Sequence, residues 1–162
     1  TDGRVVLDPR VLAKMLDALD IGRNDLVLLV GCGLGYSADV IARMAEMVVA
    51  VEEDTTLAAE AEANLAAESV DNAIVVGGAL AQGAAEHGPY DAIMFGGAVE
   101  QIPPAILDQL KDGGRICALF SEGAAGQCRV GLKSGGKVAW RNAFDATAPV
   151  LPGFEKQKAF AL

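Results

Sequence analysis

The sequence predicts an α/β fold: a doubly wound, Rossmann-like, mostly parallel sheet with an antiparallel C-terminal hairpin. Three observations support this prediction. Short apolar strand segments alternate with helical segments along most of the chain. The first of these strands, Leu26–Val30, is apolar at every position, which is typical of a strand covered on both faces. After Gly126 the alternation stops, and two strand-like segments flank a glycine turn.

Each element has its own local signal. Asp8 can cap a first helix in which Pro9 suits the first turn, and apolar residues recur at helical spacing from Leu12 to Leu19. Gly77 and Gly78 open a loop with one helical turn. The predicted strands are 26–30, 48–51, 73–76, 90–95 and 115–120; the later helices run over about 36–45, 54–67 and 103–110; the hairpin comprises 127–133 and 137–144. Gly113 and Gly114 are expected to end the last helix.

Composition limits the class of protein. The 162 residues suit one domain, 1–162, and 52% of them are hydrophobic, which indicates a packed core. A formal net charge of -9 argues against nucleic acid as a partner, because that affinity depends on clustered Lys and Arg. No apolar run approaches the roughly 18 residues that cross a membrane, and no signal segment is recognisable. The cytoplasm is therefore the expected location.

Cysteine and histidine content argue against a metal site. Cys32, Cys117 and Cys128 show no CxxC spacing, so neither a disulfide framework nor a zinc knuckle is predicted. The single histidine, His87, excludes a two-histidine metal site and is expected to be a solvated loop residue. Trp140 on the hairpin, together with Phe144 and Phe154, is expected to form the core of that edge; an exposed aromatic patch there would instead suggest a homodimer face.

The first strand ends in a glycine loop, Gly31-Cys32-Gly33-Leu34-Gly35, and the second strand ends in a carboxylate. Ligands bind at the carboxyl ends of strands in such sheets, and glycines let the backbone approach a ligand closely. Glu52, nineteen residues after Gly33, can accept both hydroxyls of a ribose. Tight packing alone also explains many glycine loops. The loop and the acid together favour an adenosine cofactor.

The dinucleotide fingerprint needs glycine at position 36, where the chain has Tyr36. The motifs instead resemble the protein-L-isoaspartate O-methyltransferase family, from about Gly3 to Phe154. The matching segments are Gly31–Ser37, Pro89–Ile93, Ile102-Pro103, Leu110–Gly114 and Leu132–Gly136. The resemblance implies the class I methyltransferase fold, S-adenosylmethionine as cofactor, and methyl transfer to a carboxylate of a damaged protein or peptide. Members of this family usually carry a substantial N-terminal segment before the matching region.

The resemblance and the loop together identify candidate cofactor contacts: Gly31, Cys32, Gly33, Gly35, Tyr36, Glu52, Glu53, Gly78, Ala79 and Gly96. Gly96 is expected to follow the fourth strand and leave room for the sulfonium. Tyr36 stacks near the methionine moiety or simply packs its helix. Cys32 is either activated by the helix N-terminus or a buried, inert thiol. No catalytic residue is identified, because an anionic acceptor needs orientation rather than a strong base.

Three positions depart from the family pattern. Leu29 stands where the family has an acid that helps hold the methionine end, Gly78 where it has an aspartate for the adenine amine, and Leu7 where it has a substrate-side hydroxyl. These departures favour an alternative function, a catalytically inactive binding or scaffold module with the same fold. A dinucleotide-dependent oxidoreductase domain is a weaker alternative.

Overall fold

The computed structural model describes residues 3–157, and its first helix begins as the sequence predicts. In α1, Pro9–Leu19, the Asp8 side chain accepts a hydrogen bond from the Arg10 backbone N–H at 2.8 Å. The buried side of the helix comprises Leu12, Met15, Leu16 and Leu19. The helix ends at Asp20, whose φ of 51° places it in the left-handed region. The capping signal and the apolar spacing therefore predicted this element correctly.

Seven strands form one mixed sheet. The strands are β1 Leu26–Val30, β2 Met47–Glu52, β3 Ala73–Gly77, β4 Tyr90–Val99, β5 Leu110–Glu122, β6 Ala125–Ser134 and β7 Lys137–Asp145. The remaining helices are α2 Tyr36–Ala42, α3 Thr55–Ala67 and α4 Pro104–Leu107, with short 3₁₀ turns at Leu80–Gln82 and Ala85–His87. The strand order is β3-β2-β1-β4-β5-β6-β7, parallel from β3 to β5 and antiparallel across the hairpin. The predicted fold class is confirmed.

Strand β1 lies in the middle of the sheet and faces a hydrophobic cluster on each side. Val27 and Leu29 pack into the cluster formed with α1 and α2, and Leu28 and Val30 into the cluster on the opposite face. All four side chains are fully buried. A strand with two covered faces needs apolar residues at every position, which explains the continuous apolar run in the sequence.

The amino-terminal edge of the sheet is held by Asp91. Its carboxylate accepts a hydrogen bond from the Leu26 backbone N–H at 2.8 Å and pairs with the Lys111 ammonium at 2.9 Å. Burial by itself raises the pKa of Asp91, but these two donors outweigh burial and lower the pKa below its usual value. This carboxylate therefore has a structural role far from the ligand edge.

The predicted boundaries differ from the structure most clearly around α2, α4 and the start of β5. Helix α2 ends at Ala42 rather than near position 45, and α4 is a single turn that ends at Leu107. Leu110 begins β5 because it pairs with Tyr90, so Gly113 and Gly114 lie within that strand instead of ending a helix. Strand pairing has overridden the local helical pattern of positions 103–110.

The hairpin is an edge of the sheet. Trp140 packs edge-on against Phe120, with ring centroids 5.2 Å apart, and 36% of its surface remains exposed. Phe154, which the sequence grouped with the hairpin core, instead packs against Phe95 at the carboxyl end of β4. His87 is exposed, as predicted. In the described range 3–157, no helix combines the length and apolarity that a membrane crossing requires.

Candidate functional site

The glycine loop lies at the carboxyl edge of the sheet, between β1 and α2. The backbone N–H groups of Gly31 and Cys32 donate to the Val51 carbonyl at 2.9 and 3.2 Å. The Gly35 N–H turns back to the Cys32 carbonyl at 3.0 Å. These bonds fasten the loop to the end of β2 and bring it beside Glu52, as the sequence predicted.

The three loop glycines have different neighbours. A Cβ at Gly35 would meet the backbone and side chain of Ala61 in α3 at 3.3 Å, so this glycine serves close packing. At Gly33, where φ is +56°, a Cβ would meet no described atom within 4 Å. Gly33 is thus a loop glycine whose open side leaves its backbone accessible to a ligand, and its positive φ disfavours other residues.

Glu52 is fully buried, and its carboxylate has five donors within the protein. The backbone N–H groups of Gly33, Glu53 and Asp54 donate to it at 2.8, 3.1 and 3.2 Å. Arg4 supplies the other two donors through a forked pair, at 2.8 Å from Nη1 and 2.6 Å from Nη2. A buried carboxylate needs such compensation. The structure therefore brings together the predicted loop and acid, and adds an arginine that sequence reasoning missed.

Arg4 belongs to a coil segment before α1, Gly3–Leu7, that we call the strap. Val5, Val6 and Leu7 lie over the glycine loop, and the cavity that remains between strap, loop and Gly96 has a volume of about 20 Å³. Val5 and Val6 are largely exposed, whereas Leu7 is buried. Arg4 and Glu52 are 48 positions apart, and no local motif in the sequence indicates that they pair.

A second segment, Pro149–Phe154, crosses the end of β4; we call it the C-terminal cover. It is attached to Ala98, which donates its N–H to the Pro149 carbonyl and accepts the N–H of Leu151, at 2.9 and 2.8 Å. The Glu100 N–H donates to the Phe154 carbonyl at 2.9 Å. Leu151 and Phe154 are both buried. Sequence reasoning missed Leu151 and misplaced Phe154, because a coil segment carries no periodicity that places it over a sheet edge.

The prediction for Gly96 is wrong in its geometry. Gly96 lies inside β4 rather than after it, and a Cβ there would overlap the Gly31 carbonyl oxygen. At the next residue, Gly97, a Cβ would meet the Leu151 side chain at 2.8 Å. These glycines therefore permit close approach of β1, β4 and the C-terminal cover. In this conformation they do not leave room for a ligand.

The end of β3 is the open part of the edge. Gly77, Gly78 and Ala79 are exposed, and a Cβ at Gly78 would meet no described atom within 4 Å. The Gly78 N–H donates to the Glu52 backbone carbonyl at 3.1 Å. The exposed Glu53 carboxylate accepts the Leu80 N–H at 3.4 Å. Gly78, Ala79 and Glu53 thus surround an accessible surface beside the buried carboxylate.

Cys32 and Tyr36 flank the loop in different ways. Cys32 is buried; burial first, and the Glu52 charge second, raise the pKa of its thiol to about 12. This favours the inert thiol over the activated one. Tyr36 is the first residue of α2 and is 48% exposed. With Val6 and Leu34 it lines an open depression outside the loop.

Two of the family departures lie in the interior. Leu29 is fully buried and Leu7 is 4% exposed, and both belong to the hydrophobic cluster that packs under α1. Positions at which the resemblance implies polar groups are therefore part of the core in this chain.

Comparisons with known proteins give a family match. The sequence model of the protein-L-isoaspartate(D-aspartate) O-methyltransferase family matches residues 2–143. A protein-L-isoaspartate O-methyltransferase of Koribacter versatilis is 37% identical over 114 residues, which are 70% of this chain and 51% of that protein. One from Methanoculleus marisnigri is 39% identical over 72% of this chain and 53% of its own length. The chain thus spans about half the length of the curated relatives it matches.

Solved structures show the same fold. A protein-L-isoaspartate O-methyltransferase superposes with a TM-score of 0.83 at 24% identity, covering 90% of this chain and 47% of that one. A Plasmodium falciparum structure assigned to the same enzyme, in complex with S-adenosyl-L-homocysteine, has a TM-score of 0.73 at 20% identity, covering 93% and 80%. The family match over most of the sequence, with relatives above 30% identity, shows that this chain belongs to the protein-L-isoaspartate(D-aspartate) O-methyltransferase family.

Proposed function

We propose that this chain binds S-adenosylmethionine and transfers its methyl group to a carboxylate of a damaged protein or peptide. The observation that carries the proposal is Glu52, a carboxylate at the end of β2 fixed by the Gly33 N–H at 2.8 Å. Such an acid beside a glycine loop suits the two hydroxyls of a ribose. The activity named for the matched relatives supports the choice of reaction.

The residues at the site suit the cofactor, but the cavity between them is too small to hold it. Glu52 suits the ribose, Gly33 leaves the loop backbone accessible, and Gly78 and Ala79 offer an open edge for a base. Yet the cavity between strap, loop and Gly96 is only about 20 Å³, whereas ligand sites commonly need at least about 300 Å³. Binding therefore requires this part of the chain to move.

S-adenosylmethionine supplies an electrophilic methyl group when it is bound. The acceptor carboxylate is already anionic, so this chain's residues need only bind, orient and exclude water. Glu52 anchors one end of the site through hydrogen bonds, and the buried Leu151 and Phe154 keep the end of β4 dry. No general base is required, which agrees with the exposed position of His87.

We infer that the whole chain, 1–162, acts as one domain. Support comes from the sheet, to which the strands belong from β1 to β7, and from the C-terminal cover, which pairs with Ala98 in β4. The net charge of -9 favours a protein or peptide acceptor over nucleic acid.

Titration calorimetry with S-adenosylhomocysteine, with NAD in parallel, tests cofactor binding. We expect saturable binding of S-adenosylhomocysteine and none of NAD. Radiolabelled methyl transfer to an isoaspartyl peptide, compared with the same peptide containing ordinary aspartate, then tests the reaction. Binding of NAD alone would support an oxidoreductase domain and overturn the proposal.

A second candidate is a catalytically inactive module that binds without methyl transfer. The specific observation in its favour is that Leu7 and Leu29, both expected to be polar in an active site of this family, share one hydrophobic cluster. S-adenosylhomocysteine binding without label transfer to the isoaspartyl peptide would support this candidate over the first.

A further inference from the structure

The strap and the C-terminal cover meet over the glycine loop. A Cβ built at Gly31 would lie 3.0 Å from Cδ2 of Leu151 and 3.3 Å from Nη2 of Arg4. The two segments therefore reach Gly31 from opposite ends of the described chain. The strap, the loop and Gly96 line the remaining cavity of about 20 Å³. Glu52, the carboxylate proposed to bind the ribose, lies beneath them and has no exposed surface.

The two ends of the strap are held by different interactions. Leu7 is anchored in the core cluster, directly before the helix cap at Asp8. Val5 and Val6 remain 51% and 57% exposed, so burial of their side chains contributes little to closure. Arg4 is only 12% exposed and makes a forked pair with a fully buried carboxylate. The Arg4–Glu52 pair is therefore the main interaction that holds Gly3–Val6 against the loop among the described residues.

We infer that Arg4 is a latch that competes with an adenosyl cofactor for Glu52. The segment Gly3–Val6 swings off the glycine loop about Leu7 before a ribose reaches the carboxylate. This inference rests on the proposed cofactor binding and adds to it a residue that sets the affinity. In the latched state the guanidinium occupies the same carboxylate oxygens that the ribose hydroxyls would need.

The competition has a direct consequence for affinity. A protein whose binding-competent state is only partly populated has its apparent affinity reduced by that fraction. Releasing the latch raises the open fraction and tightens binding. The three backbone donors to Glu52 remain when Arg4 is removed, so the carboxylate keeps its orientation. Weakening the latch is therefore separable from damaging the site.

Cys32 provides a reporter of opening that needs no cofactor. It lies under the strap and is 6% exposed, whereas Cys117 and Cys128 are fully buried. The rate at which a disulfide reagent such as DTNB labels the ligand-free protein therefore reports strap opening. The Arg4 charge itself lowers the pKa of Cys32, so faster labelling without Arg4 reports access rather than a larger thiolate fraction.

The experiment compares Arg4→Ala and Arg4→Lys with the parent. Arg10→Ala is the matched control, because the Arg10 side chain is 91% exposed and pairs only loosely with Asp8, at 3.6 Å. Cys32→Ala gives the background labelling of the other thiols. Circular dichroism and thermal melting establish that each variant is folded.

We expect DTNB to label Arg4→Ala at least tenfold faster than the parent. The lysine variant should lie in between, because it keeps the charge but loses the fork. S-adenosylhomocysteine should bind Arg4→Ala about tenfold more tightly, and Arg10→Ala should match the parent in both measurements. If Arg4→Ala is labelled at the parent's rate, or if it binds S-adenosylhomocysteine no more tightly than a parent that binds, the latch is overturned.

Failure of the proposed function has a different signature. If neither the parent nor the variants bind S-adenosylhomocysteine, cofactor binding and the competition fall together. Faster labelling of Arg4→Ala would then still establish Arg4 as the residue that closes the strap. Unchanged labelling would overturn that role as well.

Discussion

The ends of β1 and β2 are neighbours in one sheet, yet their surroundings differ: the end of β2 accommodates a buried carboxylate, and the end of β1 is apolar. At the end of β2, Glu52 is buried as a carboxylate among five hydrogen-bond donors. Near the end of β1, position 29 is leucine and faces the core cluster beneath α1. Leu29 pairs with Ala50 and Val30 with Val51, so the two sites lie side by side.

The difference lies in the supply of donors. The end of β2 faces the glycine loop and the turn that precedes α3, and the backbone N–H groups of Gly33, Glu53 and Asp54 donate to the carboxylate. Position 29 lies within β1, with Val30 between it and the glycine loop, and its side chain packs in an apolar cluster that contains Leu7. Burial of a charge is tolerated at one position and strongly unfavourable at the other. The ribose side of the proposed site is therefore polar, and the side assigned to the methionine end is apolar.

Leu29→Asp is expected to have the largest effect on stability, because it places a carboxyl group at the apolar position. The substitution removes a fully buried leucine and places a carboxyl group in an apolar cluster. We expect unfolding by urea to show a loss of at least about 4 kcal/mol, with no gain in affinity for S-adenosylhomocysteine. Leu29→Met, which keeps the volume, should cost less than about 1.5 kcal/mol. A tighter-binding, stable Leu29→Asp protein would mean that position 29 reaches the ligand.

Glu52→Gln tests how much the buried carboxylate at the end of β2 contributes to stability. Replacing the carboxylate leaves Arg4 and the backbone donors without their charged acceptor, and we expect about 2–3 kcal/mol of lost stability in the absence of ligand. Glu53→Gln is the matched control, since Glu53 is exposed and should change stability by less than about 0.5 kcal/mol. Equal urea midpoints for both variants would contradict the importance of the buried pair.

Asp91 provides a partly exposed carboxylate for comparison. It lies at the opposite edge of the sheet, and 25% of its side chain is exposed. We expect Asp91→Ala to cost about 1 kcal/mol at pH 7. Because the folded state lowers the pKa of Asp91, its contribution is present above the ordinary value near 3.9 and is lost as the pH falls through the folded value. The stability difference from the parent should thus shrink below about pH 4.

Asp108→Ala provides the control for that measurement, because Asp108 is exposed at the end of α4. A pH-independent difference between Asp91→Ala and the parent would show that packing, rather than the carboxylate, explains the loss of stability.

Features that depend on neighbouring residues were predictable from the amino-acid sequence. The Asp8 cap and Pro9 start α1, and the continuous apolar run of Leu26–Val30 requires a strand with two covered faces. Loop and acid at the ends of consecutive parallel strands necessarily lie at one edge of the sheet, so Glu52 was predicted beside Gly33. These inferences need only local preferences and the geometry of parallel sheets.

The segments that cover that edge of the sheet are positioned by long-range contacts, which the sequence pattern does not indicate. The pairing of Arg4 with Glu52 and the contact of Leu151 with the glycine loop join residues far apart in sequence and carry no periodic signal. Strand pairing likewise reduced the predicted helix at 103–110 to one turn, because Leu110 pairs with Tyr90. A short helix gains little from its own hydrogen bonds, whereas pairing with a buried strand adds ladder bonds and apolar contacts. Long-range contacts of this kind, rather than local preference, determine whether the proposed site is open or covered.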